Sequence, residues 1–130
     1  MAFQWKVVLA LVLLAMTLGS IGCGRSDLPE LGRVHGTVTL DGKPLAGVIV
    51  TFFPDAGRPA VANTDSEGEY ELMYTADVKG ATVGPSTVRV LWPDGETPTA
   101  KIPDKYGANS ELKTEVKPGK NTFDITMESK

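Results

Sequence analysis

Alternation of apolar and polar residues over most of the chain beyond residue 32 is the feature that most limits its fold. In the first such run, Val34, Val38 and Leu40 fall on one side, and His35 lies among polar residues on the other. Apolar residues at every second position are typical of strands with one buried face. About seven such runs, separated by Gly-, Pro- and Asp-rich turns roughly every 8–12 residues, predict an all-β fold, a single seven-stranded antiparallel sandwich.

The run after the first turn is apolar on both faces. Its apolar members are Val48, Ile49, Val50, Phe52 and Phe53. A strand with two apolar faces is expected at the centre of a sheet. In contrast, residues 94–111 show no sustained period, and we expect them to form the longest irregular loop.

The first 22 residues have the layout of an export signal. Lys6 gives one positive charge, an apolar run covers residues 7–18, and small residues lead to the only cysteine, Cys23. As a helix, this run covers about 18 Å, short of the roughly 30 Å hydrocarbon core of a bilayer. We therefore expect a signal helix within residues 1–22 that is removed, rather than a permanent membrane span.

The residues that end this signal, Ser20-Ile21-Gly22-Cys23, resemble the lipobox of bacterial lipoproteins. The resemblance implies that the Cys23 thiol is alkylated with diacylglycerol. It also implies that a signal peptidase cuts between Gly22 and Cys23 and that the new amine can be acylated. Leu is usual at the position of Ser20, so a conventional cut after Gly22 or Ser20, which gives a secreted protein, and an uncleaved anchor are the alternatives.

A chain that begins at Cys23 has 108 residues, enough for one core. Residues 23–32 are rich in Gly, Pro and polar residues and predict a tether, which leaves residues 33–130 as the domain. Without Lys6, 12 Lys and Arg stand against 16 Asp and Glu, a net charge of −4. This mild acidity argues against a nucleic-acid partner and against electrostatic docking to anionic lipid.

Two motifs resemble a known family. Residues 36–52 read Gly-Thr-Val-Thr-Leu-Asp-Gly-Lys-Pro-Leu-Ala-Gly-Val-Ile-Val-Thr-Phe, and residues 64–70 read Thr-Asp-Ser-Glu-Gly-Glu-Tyr. They resemble carboxypeptidase regulatory-like domains, which share the transthyretin-like (prealbumin-like) sandwich. Residues 84–90, 102–106 and 121–127 look like the form found in small bacterial envelope lipoproteins. The resemblance implies a fold without a catalytic group.

The second motif has a structural rationale. We expect Asp65 to accept backbone N–H groups across the turn and Gly68 to supply a positive φ. Tyr70 is expected to enter the core. These three residues are therefore candidate structural determinants of the turn.

Residues with catalytic or metal-binding chemistry are few. His35 is the only histidine, and Cys23 belongs to the signal, so we expect no catalytic site and no enzymatic activity. Asp65, Glu67 and Glu69 lie within five residues but lack the twelve-residue calcium-loop pattern. We expect no metal and no cofactor.

Three aromatic residues, Trp92, Tyr74 and Tyr106, offer a candidate sugar-stacking surface. Trp92, however, continues the inward alternation of Val88 and Val90 and is expected to pack in the core. The sequence thus favours a non-catalytic, membrane-tethered module of the cell envelope with a structural or binding role. The alternative is a secreted or anchored domain that binds carbohydrate or peptide through residues 94–111 and a sheet edge. Neither reading specifies the protein or glycan partner.

Overall fold

The computed structural model describes residues 28–129, which form twelve β-strands and no helix. In chain order the strands are β1 (Leu31–Leu40), β2 (Lys43–Pro44), β3 (Ile49–Pro54), β4 (Ala60–Asn63), β5 (Glu69–Glu71), β6 (Met73–Thr75), β7 (Val78–Lys79), β8 (Ala81–Thr82), β9 (Gly84–Leu91), β10 (Lys113–Val116), β11 (Gly119–Thr122) and β12 (Ile125–Met127). The all-β class is confirmed for these residues, although the strands are shorter and more numerous than the seven predicted. The predicted signal helix lies outside the described residues.

The first sheet is built around β1. On one side β1 pairs in parallel with β11 and then with β12. On the other side it pairs with β8, β5 and β2, all antiparallel. The sequence predicts antiparallel pairs, and these two parallel pairs differ from that prediction. They arise because β10 runs through the other sheet towards the end where β1 begins. The chain therefore enters β11 in the same direction as β1.

The second sheet has the order β10-β9-β3-β4-β6-β7, and all of its neighbours are antiparallel. Val50 of β3 lies opposite Val90 of β9 and Ala62 of β4. The central position that the sequence predicts for this strand is confirmed.

The inward faces of the two sheets share one apolar core, which gives the fold its sandwich character. Val38 comes from the first sheet, and Phe52 and Val88 come from the second; all three are fully buried. The Phe52 ring meets the Phe123 ring edge-on, with centroids 6.0 Å apart. Burial of each such side chain contributes about 1.5–3 kcal/mol.

Two short segments join the sheets along one side of the sandwich. The run that the sequence presents as one strand over residues 69–74 divides at Leu72 into β5 and β6, which belong to different sheets. Residues 77–84 are rich in small residues and show no alternation, yet they contain the two-residue strands β7 and β8. The sequence Pro-Gly-Lys-Asn at 118–121 has the composition of a turn, and β11 overlaps it. The two- and three-residue strands β5 to β8 cannot be recognised from the sequence, because an alternation of apolar and polar residues needs at least four residues to be seen.

The two ends of the sandwich carry different segments. At the near end, where β1 begins, the Val83 N–H donates to the Glu30 carbonyl at 3.0 Å. At the far end, the Ser129 N–H donates to Asp41 Oδ1 at 2.9 Å. The far end also holds the 64–68 turn and the segment between β9 and β10, which has no strand, as the sequence predicts for residues 94–111.

Gly36 lies in β1 where β11 ends and β12 begins. A Cβ at this position would stand 2.0 Å from the Phe123 carbonyl oxygen and 3.1 Å from Tyr70 Cε1. A close approach of this kind in a strand requires glycine.

We expect Gly36→Ala to lower the free energy of unfolding by about 2–3 kcal/mol, because the methyl group must displace backbone and an aromatic ring. Urea unfolding of the two proteins measures the loss. Gly107→Ala is the matched control, since its Cβ would come within 3.0 Å of the end of the flexible Leu91 side chain and would lie no closer than 3.5 Å to any backbone atom. Equal losses for the two variants would contradict the close-packing explanation.

Candidate functional site

The turn at residues 65–68 is closed by Asp65. Its Oδ1 accepts the N–H groups of Glu67 and Glu69, both at 2.9 Å. The Asp65 carbonyl accepts the Gly68 N–H at 3.0 Å, and Gly68 has a φ of +77°. This kind of turn requires two things: a side-chain carboxylate that replaces a backbone acceptor, here Asp65, and a residue in the left-handed region, here Gly68.

The same turn is held against β1. The Gly68 carbonyl accepts the Val38 N–H at 2.7 Å, and a Cβ on Gly68 would stand 2.7 Å from the Val38 carbonyl oxygen. The buried Thr64 hydroxyl, just before the turn, accepts the Val48 N–H at 3.0 Å. The turn therefore connects the two sheets at the far end and places the strand that follows, β5.

Tyr70, on β5, lies directly opposite Gly36. Its side chain is buried, and its hydroxyl donates to the Phe123 carbonyl at 2.5 Å. Burial raises the pKa of Tyr70 well above its usual value, and the nearby negative charge of Asp124 adds to the rise. The phenol is therefore held neutral as a hydrogen-bond donor.

The ladder between β1 and the last strands breaks at residues 123–124, beside this phenol. The Phe123 N–H donates to the His35 carbonyl at 2.9 Å, and Asp124 Oδ1 accepts the Thr37 N–H at 3.0 Å. The Asp124 carboxylate thus occupies a position that a backbone carbonyl would fill in an unbroken ladder. β11 and β12 are two parts of one strand with an irregularity between them.

A groove of about 620 Å³ lies on the outward face of the first sheet, lined by His35, Asp65, Glu69, Glu71 and Asp124 among others. Most of its carboxylates already have structural partners. Glu71 accepts hydrogen bonds from Arg33 Nη2 at 2.7 Å and from Lys79 Nζ at 3.1 Å. These two hydrogen bonds lower the pKa of the Glu71 carboxyl. Across residues 28–129, no group of three or more His, Cys, Asp or Glu side chains is arranged to hold a metal ion.

His35 lies on the solvent side of β1. Its Nε2 is 3.3 Å from the Thr122 hydroxyl, which the parallel register places directly opposite. The register alone accounts for this contact, so it does not define a catalytic pair.

The three aromatic candidates are not brought together. Trp92 is half-buried against the core, and its Nε1 donates to the Ala100 carbonyl at 2.8 Å. Tyr74 belongs to β6, which is separated from β9 by the two strands β3 and β4, and its ring lies beneath Arg58 at 5.7 Å. The Tyr106 hydroxyl accepts the Glu128 N–H at 3.3 Å.

Asn121 has a structural role that the sequence did not reveal. Its Oδ1 accepts the Lys117 N–H at 3.0 Å, and its Nδ2 donates to the carbonyls of Lys117 and Arg33. The side chain closes the connection between the two sheets next to β1. The only signal in the sequence is the turn composition at 118–121, which indicates a turn without indicating what the amide binds.

The predicted cleavage and lipidation residues, Gly22 and Cys23, lie outside the described residues, as does the first half of the predicted tether. Within the part of the chain that the structure describes, no helix is long and apolar enough to cross a bilayer.

No protein-family model matches this chain, and no curated protein matches it. Among solved structures, it is similar to a DUF3823 family protein from Parabacteroides merdae, with a TM-score of 0.45 and 15% sequence identity. The similarity covers 78% of this chain but only 46% of that protein, so the chain spans less than half of that protein's length. A similarity of this size carries no argument about function, and the carboxypeptidase regulatory-like family stays a prediction.

We expect Tyr70→Phe to lower the free energy of unfolding by about 1–2 kcal/mol at neutral pH, because the part-buried Phe123 carbonyl loses its donor. An unfolded tyrosine ionises near pH 10, whereas the folded phenol resists ionisation, so the native chain should lose stability as the pH rises above about 10. The variant should lose less over the same range. Urea unfolding at pH 7, 9 and 11 checks both effects, and parallel pH profiles for the two proteins would contradict the assignment.

Proposed function

We propose that this chain is a lipid-anchored, non-catalytic domain of the bacterial cell envelope, of the carboxypeptidase regulatory-like, transthyretin-like sandwich type, with a structural or binding role. The observation that carries the proposal is the succession of an export signal, a lipobox-like Cys23 and a β-sandwich. The first strand of that sandwich begins at Leu31, eight residues after the cysteine. This is the arrangement expected of a domain held next to a membrane by a short tether.

The length of the tether sets how far the domain can stand from the bilayer. Five residue steps separate Cys23 from Leu28 and span at most about 18 Å. A lipid on Cys23 would therefore hold the near end close to the membrane. A diacylglyceryl group with a further acyl chain anchors stably without help from the protein surface.

The use of the polar side chains supports a non-catalytic role. The carboxylates of Asp65 and Asp124 accept backbone N–H groups, and the Tyr70 hydroxyl donates to a backbone carbonyl. Residues used in this way specify a fold, and they are not free to transfer protons or to attack a substrate.

We expect the mature protein, purified from the membrane fraction, to begin at Cys23 and to carry the added mass of a diacylglyceryl group and an acyl chain. Mass spectrometry of the N-terminal peptide measures this directly. Cys23→Ser should abolish the added mass and leave the protein uncleaved. An unmodified N-terminus at Ile21 or Cys23 would establish ordinary secretion, and an intact Met1 would establish an uncleaved anchor.

The second candidate function, binding of carbohydrate or peptide, is favoured by a groove beside Trp92. The groove has a volume of about 500 Å³ and is also lined by Pro98, Lys101 and Ile102. An indole face next to aliphatic side chains is a surface on which a sugar ring can stack. The Trp92 N–H is already bonded to Ala100, so stacking rather than hydrogen bonding would be its contribution.

If this groove binds a glycan, Ile102→Ser and Lys101→Ala should each weaken the binding at least severalfold on a glycan array. Tyr74→Ala, on a strand separated from β9 by two others, is the control and should leave the binding unchanged. Glycan binding that is equally affected by all three substitutions would place the ligand elsewhere. The absence of binding in the unsubstituted protein would exclude a glycan ligand among those arrayed.

A further inference from the structure

The outward face of the second sheet carries a group of large apolar side chains among polar ones such as Thr51, Asn63 and Thr87. It carries Ile49, Phe53, Val61, Met73 and Leu91, which the register places as neighbours across β9, β3, β4 and β6. Val61 and Leu91 are 42% and 43% exposed, so the described residues do not cover them. The solvated face of an antiparallel sheet is normally polar, and an apolar patch at this position marks an interaction surface.

Arg89 lies in the middle of this face, opposite Thr51. Its guanidinium carbon is 4.7 Å from the centre of the Phe53 ring, and its buried Nε has no hydrogen-bond partner within residues 28–129. Lys113 and Glu115, on the edge strand β10, also point outward, and their charges cancel. Lys79, opposite Met73 at the edge of the face, is paired with Glu71. Arg89 is therefore the cation at the centre of the face, beside the Phe53 ring, although the chain as a whole is acidic.

We propose that this face lies against an anionic lipid surface. The terminal N–H groups of the Arg89 guanidinium would donate to lipid phosphates, while Val61 and Leu91 enter the interface between headgroups and acyl chains. The overall net charge predicts no such docking, but the local arrangement provides both the cation and the apolar contacts. The inference rests on the proposed anchoring at Cys23, which would keep the face within reach of the bilayer.

The position of the tether allows this orientation. The Glu30 carbonyl is bonded to Val83, which directly precedes β9 of the second sheet. The span of about 18 Å from Cys23 to Leu28 exceeds the roughly 10 Å between packed sheets. The domain can therefore lie flat on its second sheet, and the groove that contains Glu69, Glu71 and Asp124 then faces away from the anionic surface.

The test uses a chain of residues 23–130, which keeps every residue of the described core because the core lies within residues 34–127. Its single cysteine, Cys23, is coupled to a maleimide lipid in vesicles, so the result does not depend on whether the cell lipidates the protein. Val61→Trp reports on the second sheet, and Glu69→Trp is the matched probe on the first. Trp92, present in both proteins, gives the common background.

In vesicles of phosphatidylglycerol with brominated acyl chains, we expect the added fluorescence of Val61→Trp to fall by half or more and that of Glu69→Trp to stay unchanged. Brominated phosphatidylcholine should quench Val61→Trp severalfold less. Adding Arg89→Gln should reduce quenching in phosphatidylglycerol to the phosphatidylcholine level, whereas Arg89→Lys should retain part of it. Circular dichroism and thermal midpoints confirm that each variant is folded.

Equal quenching at the two probe positions would overturn the proposed orientation, and quenching that survives Arg89→Gln would overturn the role assigned to this cation. A third outcome is that the brominated lipids do not quench Val61→Trp but a water-soluble quencher cannot reach it either. If this protection increases with the density of protein on the vesicle, a second copy of the chain covers the face instead. Because the anchor is synthetic, each of these failures is distinct from a failure of lipidation at Cys23.

Discussion

The hydrogen bond from the Tyr70 hydroxyl to the Phe123 carbonyl is the interaction on which the rest of the first sheet depends. It passes over Gly36 and so joins three neighbouring strands at one point. The ring covers the space that a side chain at Gly36 would fill, as aromatic residues do beside glycines in sheets. The break at 123–124 lies where this carbonyl turns towards the phenol, and Asp124 supplies the acceptor that β1 would otherwise lack. The turn closed by Asp65 places Tyr70, so the 64–70 motif and the break belong to one arrangement.

Much of this arrangement is visible in the sequence. The alternation of β1 predicts its buried face, and the double apolar face of residues 48–53 predicts a central strand. The partners of β1 are not visible, because a period of two shows which face is buried but not which strand lies alongside. The break is also hidden, since Phe123, Ile125 and Met127 alternate without a gap. It lies at the residue that binds Tyr70, which comes more than fifty residues earlier in the chain.

The two outward faces of the sandwich differ in chemistry. On the first sheet, Asp65 and Asp124 accept backbone N–H groups. Glu71 accepts hydrogen bonds from Arg33 and Lys79, which lower the pKa of its carboxyl. On the second sheet, the double apolar character of β3 that predicts its central position also leaves Ile49 and Phe53 on a face over which residues 28–129 form no second layer. Apolar residues on both sides of a strand indicate burial from two directions, and the sandwich supplies only one. Ile49 and Phe53 therefore have the apolar character of core residues but lie on the outward face, and a binding role is proposed for that face.

The parallel pairing of β1 with β12 has a mechanical consequence. β1 begins at the near end, and β12 finishes at the far end beside Leu40. A load carried between Leu31 and Met127 would act along both strands, and their inter-strand hydrogen bonds would be stretched together in shear. In a terminal hairpin, by contrast, the bonds would open one at a time. A domain fixed at its first strand and pulled from its last would therefore resist extension with several bonds at once, and the direction of the force would determine how strong it is.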